Sequence, residues 1–324
     1  MNHKNISVIF ILIIVTCSWL KPAAAQPLVS RTATAGAYLE RGNKWFAKGE
    51  YARAEADYDL AIVTDPSQGG AYYNRATTRY RLGKLAEALT DFDTALQRDP
   101  RLLNAYVNRS GIRYQLGDFA GSISDNTKAL ELNPQLAAAW TNRATARGDI
   151  SDLAGAITDF SQALKLDPTL AQAWGGRATA RILTHDLAGA ISDYTHELKL
   201  TPKAAVVWSE RGAAHQKIGE LEGALADYEQ ALKLNPRFAE TWFNRGMLWK
   251  TKGNWRQAEA DFTQAIACNP RFADAYVQRG ITRLRQGRAD EAQQDFEQCL
   301  KVNPKLKDPL EQLIANTKLQ LAEK

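Results

Sequence analysis

Eight prolines, Pro66, Pro100, Pro134, Pro168, Pro202, Pro236, Pro270 and Pro304, stand 34 residues apart without one slip of register. Proline has no amide hydrogen to donate and pushes the residue before it out of the helical region. Each therefore stops a helix at the same point of a repeating unit. Asp or Asn precedes every one of them except Pro202, which follows Thr201. A period of this length describes stacked supersecondary units, which grow in one direction without a central core.

Numbering each unit from 1 to 34, starting at Ala35, puts the prolines at position 32. Position 4 is always a large aromatic: Tyr38, Tyr72, Tyr106, Trp140, Trp174, Trp208, Trp242 and Tyr276. Position 8 is always small, from Gly42 to Gly280. Position 20 is Ala except at Ser122, and position 24 is aromatic except at Asn126. Position 28 is always Leu or Ile. Positions 4, 8 and 11 share one face of a first helix, and positions 20, 24, 27 and 28 share one face of a second. Position 15 is Gly in six units, as expected where a helix ends in a left-handed residue, and Ser151 and His185 replace it in the other two. Small residues let the two helices approach while the rings fill the space between neighbouring hairpins. One hairpin cannot bury its own apolar face, so stability is expected to come from stacking.

This pattern resembles the tetratricopeptide repeat family, in register from Ala35 to about Leu306. The resemblance implies an all-α, right-handed superhelical solenoid of eight helix-turn-helix repeats: 35–68, 69–102, 103–136, 137–170, 171–204, 205–238, 239–272 and 273–306. It also implies a concave groove, lined mainly by the first helices, that binds a peptide or partner protein and has no catalytic machinery. Residues 307–324 read as a capping helix, with Asp308 as cap, Pro309 at the first position and Glu311 at the third. Leu310, Leu313, Ile314, Thr317 and Leu321 give it one mostly apolar stripe to cover repeat 8.

Residues 1–25 differ from the rest. Lys4 opens them, a largely apolar run spans Ile6–Val15, and Ala23-Ala24-Ala25 closes them. That order reads as a secretory signal peptide cleaved after Ala25, so the chain is expected to be exported to the periplasm or the extracellular space. Lipidation at Cys17 is the alternative. The run is too short to span a bilayer comfortably, and the mature chain carries no expected membrane span. Residues 26–34 read as a linker. The two remaining cysteines, Cys268 and Cys299, allow a disulfide in an exported protein. Their helix-packing positions favour free thiols in small apolar slots.

Two charged positions repeat as faithfully as the proline. Position 7 is Arg in every repeat, from Arg41 to Arg279, and position 23 is Asp in every repeat, from Asp57 to Asp295. Both lie eight residues from the turn, so in an antiparallel hairpin they sit at similar height, roughly 12 Å from it. The family more commonly has apolar or aromatic residues there. The equal counts favour an ion pair, within a repeat or to a neighbour, that fixes hairpin register. A strip of eight arginines for acidic ligands is the competing reading.

In the family, positions 5, 6, 9, 12 and 13 tend to face the groove. Position 6 supplies Asn74, Asn108, Asn142 and Asn244, whose amides suit the backbone of an extended peptide or, equally, a contact between hairpins. Phe46, Tyr73, Tyr80 and Tyr114 stand at groove positions of repeats 1 to 3, as anchors for a partner or as packing between hairpins. Family members that clamp a C-terminal carboxylate carry Lys and Arg at positions 2, 5 and 6. Here positions 2 and 5 hold no cation. Repeat 5 is irregular: His185 takes the turn, and Glu197 replaces the small residue at position 27. Glu197 is expected to pair with His215 of the next repeat.

His185, His196 and His215 lack a recognisable metal-ligand spacing, so neither a metal nor another cofactor is expected. The net charge of +5 includes Lys4 and Lys21 of the leader, and no dense basic block points to nucleic acid. There is no Gly-rich phosphate loop, no HExxH and no nucleophile elbow, and the repeats leave no room for a catalytic domain. The expected function is a non-catalytic protein-interaction scaffold of the cell envelope or secreted space. A carbohydrate-binding or assembly factor for envelope polysaccharide is the alternative.

Overall fold

The computed structural model describes residues 34–322. The leader, its cleavage point, Cys17 and the linker up to residue 33 lie outside the described residues. Thr34, the last linker residue, caps the first helix by accepting from the Ala37 amide at 3.3 Å. All regular structure among the described residues is helical. First helices of thirteen residues begin at Ala35, Gly69, Leu103, Ala137, Ala171, Ala205, Ala239 and Ala273. Second helices of fourteen begin at Tyr51, Leu85, Phe119, Leu153, Leu187, Leu221, Trp255 and Ala289. Consecutive helices pack in pairs, and the chain divides into two compact units, one ending at Ala180 and the other starting at Arg181.

The punctuation of each hairpin has a local cause. The six position-15 glycines have φ between +75° and +87°. Ser151 and His185 are held in the same left-handed region, at +66° and +63°, where a β-carbon is disfavoured. The Asp or Asn before each proline folds back over it. Asp99, Asn133, Asp167, Asn235 and Asn269 each accept from the amide two residues on, at 2.9–3.1 Å. Thr201, too short for this, donates its hydroxyl to the Glu197 carbonyl instead.

The core is built from the position-24 rings. Tyr58, Phe92, Phe160, Tyr228 and Phe262 are fully buried, each worth about 1.5–3 kcal/mol. Position 8 must stay small beneath them: a β-carbon at Gly246 would lie 2.7 Å from the Phe262 ring, and one at Gly280 2.4 Å from Phe296. Repeat 3 departs from this scheme. Asn126 replaces the ring and donates to the Ser122 carbonyl, while its Oδ1 and the Ser122 hydroxyl are buried without a hydrogen-bond partner. Above the core, the indole N–H of Trp140, Trp208 and Trp242 donates to the carbonyl of Pro134, Pro202 and Pro236.

The expected ion pair is present as a larger node. The position-7 guanidiniums of Arg41, Arg75, Arg109, Arg143, Arg211, Arg245 and Arg279 make hydrogen bonds of 2.5–3.2 Å to their own position-23 carboxylates. The free nitrogen reaches back to position 25 of the preceding repeat: Arg75 to Asp59, Arg109 to Asp93, Arg143 to Thr127 and Arg211 to Thr195. In all eight repeats the guanidinium lies over the position-4 ring, 4.7–5.7 Å from the centroid. Burial pushes the Asp125 and Asp261 carboxyls up despite these partners.

The terminal segment starts where expected and corrects its cap. A short 3-10 turn, Pro304–Leu306, runs straight into the helix Lys307–Ala322, so Asp308 lies in the first turn and does not cap it. Asn303 caps the 3-10 turn instead, through the Lys305 amide. Leu310 and Ile314 pack against Phe296 and Cys299 of repeat 8, while Leu313 of the expected stripe is exposed. Cys268 and Cys299 are free thiols.

Two measurements test these statements. Ser151→Gly and His185→Gly should each raise stability by about 1 kcal/mol in denaturant unfolding, since glycine has no β-carbon to strain there. Asp159→Ala should cost about 3–5 kcal/mol, because it strands Arg143 and also Arg147, which lies 3.0 Å from the same carboxylate. Arg143→Ala should cost less, because Arg147 still serves Asp159. Additive losses in the double variant would remove the pair as a unit of stability.

Candidate functional site

In the first unit, positions 5, 6, 9, 12 and 13 of successive first helices form a ladder of hydrogen bonds between hairpins. Asn43 Oδ1 accepts from the Tyr58 hydroxyl at 2.7 Å and from Asn74 Nδ2 at 3.1 Å. Asn108 Nδ2 donates to the Tyr73 hydroxyl at 3.3 Å, and Gln115 Nε2 donates to the Tyr80 hydroxyl at 3.1 Å. The Tyr114 hydroxyl donates to Asp149 at 2.5 Å. The rings lean on their own second helices, with centroid separations of 5.3 Å for Phe46–Tyr51, 5.9 Å for Tyr73–Phe92 and 5.4 Å for Tyr114–Phe119.

The candidate residues therefore divide. Phe46, Tyr73, Asn74, Tyr80 and Tyr114 are half-buried and keep part of their surface open. Asn108 and Asn142 are buried, so these two amides sit between hairpins. Burial raises both the Tyr114 hydroxyl and the Asp149 carboxyl above their ordinary values, and the hydrogen bond between them raises the tyrosine further while lowering the aspartate. Asn244 belongs to the second unit, half-buried beside Phe243, whose ring lies 4.9 Å from that of Phe272.

One set of residues was missed. Position 11 is Arg79, Arg113, Arg147, Arg181 and Arg283 in five repeats, and each lies 2.8–3.0 Å from the position-23 aspartate of its own repeat. The aspartates of repeats 2, 3, 4 and 8 thus take charge from position 11 as well as from position 7. Arg79 and Arg283 also reach Glu55 and Glu259 on the preceding repeat, both at 2.9 Å. The signal was the count of arginines at position 11, masked by Trp45, His215 and Trp249 in the other repeats.

Family models for the tetratricopeptide repeat match residues 70–102, 141–205, 205–238, 239–272 and 262–294, together more than half of the chain. The chain belongs to the tetratricopeptide repeat family. Solved structures share the fold. A tetratricopeptide repeat protein from Parabacteroides merdae is 20% identical, covering 76% of this chain and 98% of its own, with a TM-score of 0.54. The C-terminal part of a repeat protein from Cytophaga hutchinsonii is 14% identical over 74% of this chain and 98% of its own, with a TM-score of 0.64. A chain of the APC/C hetero-tetramer Cut9–Hcn1 is 15% identical over 85% of this chain and 55% of its own, with a TM-score of 0.53. No curated protein matches the sequence.

Within this tetratricopeptide array, repeats 5 and 6 correct a second expectation. His215 occupies the position-11 slot, with Nδ1 2.6 Å from Glu220 and Nε2 3.8 Å from Asp227, and so does not pair with Glu197. Glu197 Oε2 is buried without a hydrogen-bond partner, at a position that is Ala in six repeats. No group of three metal-ligating side chains occurs among the described residues.

Burial alone pushes the Glu197 carboxyl up to about 7 from its ordinary 4.5. The folded chain keeps this proton while the unfolded chain releases it, so stability present below 4.5 is lost as pH rises to 7. The loss is about 3 kcal/mol. Glu197→Ala should abolish this part of the slope and stabilise the protein at pH 8, while changing little at pH 4. Unfolding curves of both proteins at the two pH values check this, and parallel slopes would refute it.

Proposed function

We propose that the chain is a non-catalytic scaffold of the cell envelope or secreted space, which holds a partner protein or extended peptide against the first helices of its repeats. The observation that carries this reading is the first-unit ladder. Phe46, Asn74, Tyr80 and Tyr114 keep open surface, yet ring packing and hydrogen bonds between hairpins hold them in place. A partner meeting such a face has little side-chain entropy to overcome, and amphipathic tyrosines are efficient contacts. Membership of the repeat family supports the reading, as does the likeness to a chain from the Cut9–Hcn1 hetero-tetramer. The order of charge, apolar run and small residues in 1–25 supports export.

A photo-cross-linking residue placed at Phe46 or Tyr80 of the full chain, in the cells that make it, should capture the same protein from both positions. Placed at Thr90, on the exposed side of a second helix, it should not. Tyr80→Ala combined with Tyr114→Ala should then weaken that complex by about ten-fold or more. Capture from Thr90 alone, or of polysaccharide in place of protein, would overturn the assignment.

A further inference from the structure

Among the described residues of the second unit, two half-buried cations, Lys250 and Arg285, meet no carboxylate within ion-pair distance. Position 12 is aromatic in repeats 1 to 3 but Lys250 in repeat 7. Lys250 is half-buried and donates to Gln278 Oε1 at 2.6 Å. Arg285, one repeat on at position 13, lies with its guanidinium 5.3 Å from the centroid of the Trp255 ring and donates from Nη2 to Gln320 Oε1 at 2.7 Å. Its Nε is buried without a hydrogen-bond partner. Burial, and then the charge of Arg285, lower the pKa of Lys250, so the two cations feel each other.

Elsewhere in this unit, Arg181, Arg211, Arg245, Arg279 and Arg283 each meet a carboxylate at 2.6–2.8 Å or, for Arg283, at 2.9 Å. Among the described residues Lys250 and Arg285 meet none. The amide oxygens of Gln278 and Gln320 satisfy hydrogen bonds but supply no negative charge. Two half-buried like charges on one face repel and are partly desolvated, a cost that an arriving anion reverses. A guanidinium edge is shaped for a carboxylate, an ammonium adds a point charge, and Trp255 forms a flat wall beside them.

We infer that Lys250, Arg285 and Trp255 form a carboxylate-binding site for an acidic segment of a partner protein, with Gln278 and Gln320 occupying the place of the carboxylate until it arrives. The site rests on the scaffold reading and gives it a second contact, in the unit where the aromatic ladder is replaced by charge. It uses positions 12 and 13, not the positions 2, 5 and 6 of the family's carboxylate clamp.

Fluorescence anisotropy of a labelled hexaglutamate peptide with an amidated C-terminus, titrated with the full mature chain at low salt, tests it. Lys250→Gln combined with Arg285→Gln should weaken binding by about ten-fold or more. Lys48→Gln combined with Arg53→Gln, which removes the two cations stacked on Trp45 of the first unit, should not. Gln278→Glu keeps both cations and supplies an internal carboxylate beside Lys250, so it should fold and also weaken the peptide. Hexaglutamine with a free C-terminus, bound with the same dependence on Lys250 and Arg285, would assign the site to a chain terminus.

Equal losses in the two double variants, or binding of oligogalacturonate but not hexaglutamate, would overturn the site. Failure of the scaffold reading would show separately, as absence of protein capture from Phe46 and Tyr80 whatever the peptide does.

Discussion

The position-7 arginine is the fastening on which each hairpin depends. Its flat guanidinium lies on the position-4 ring, grips the position-23 aspartate of its own second helix and reaches back to the preceding repeat. A lysine could supply the charge but not three directed contacts in one plane. An apolar side chain could fill the space but could not distinguish one register of the two helices from another. Such a buried pair adds little net stability beside a well-packed apolar alternative, so its contribution here is to specify alignment.

Apolar packing supplies the stabilisation that the node aligns. The position-24 ring against a small position 8 recurs through both units, with a β-carbon at several glycines falling inside contact distance of the ring. Where a repeating column breaks, at position 24 in repeat 3 and at position 27 in repeat 5, the structure carries an unmatched polar atom. Asn126 with Ser122 leaves a buried oxygen and hydroxyl in repeat 3, and Glu197 leaves a buried carboxylate oxygen in repeat 5. In a linear array, where each hairpin is supported by its neighbours, such a repeat lowers local stability without abolishing the fold. Repeats 3 and 5 are accordingly where local opening should begin.

Much of this was legible in the sequence because it repeats with an invariant residue. The prolines, the left-handed position 15 and the Arg–Asp pairing needed only the period and the geometry of a hairpin. The rest depends on offsets between neighbours that a single column does not show. Asn108 meets Tyr73 and Gln115 meets Tyr80 because position 6 of one repeat faces position 5 of the one before, and position 13 faces position 12. Spacing alone sets His215 against Glu197 across a repeat boundary, whereas position 11 folds over position 23 of its own repeat. The terminal helix needs no cap at Asp308 because a 3-10 turn continues directly into it.

The same offsets decide what the first-helix face can offer in each unit. A tyrosine whose hydroxyl is engaged by the next repeat still presents its ring edge, and its orientation no longer depends on a ligand. In the first unit the contact surface is therefore fixed before any partner arrives. In the second, an ammonium takes the place of an aromatic at position 12, and only neutral amides answer it and the neighbouring guanidinium. Charge there is left unanswered, and Arg285 Nε is buried without a hydrogen-bond partner, which leaves a preference for anions that neutral groups cannot remove. A repeat fold that must keep its interior invariant can still vary this face freely, because positions 12 and 13 take no part in the guanidinium–aspartate node.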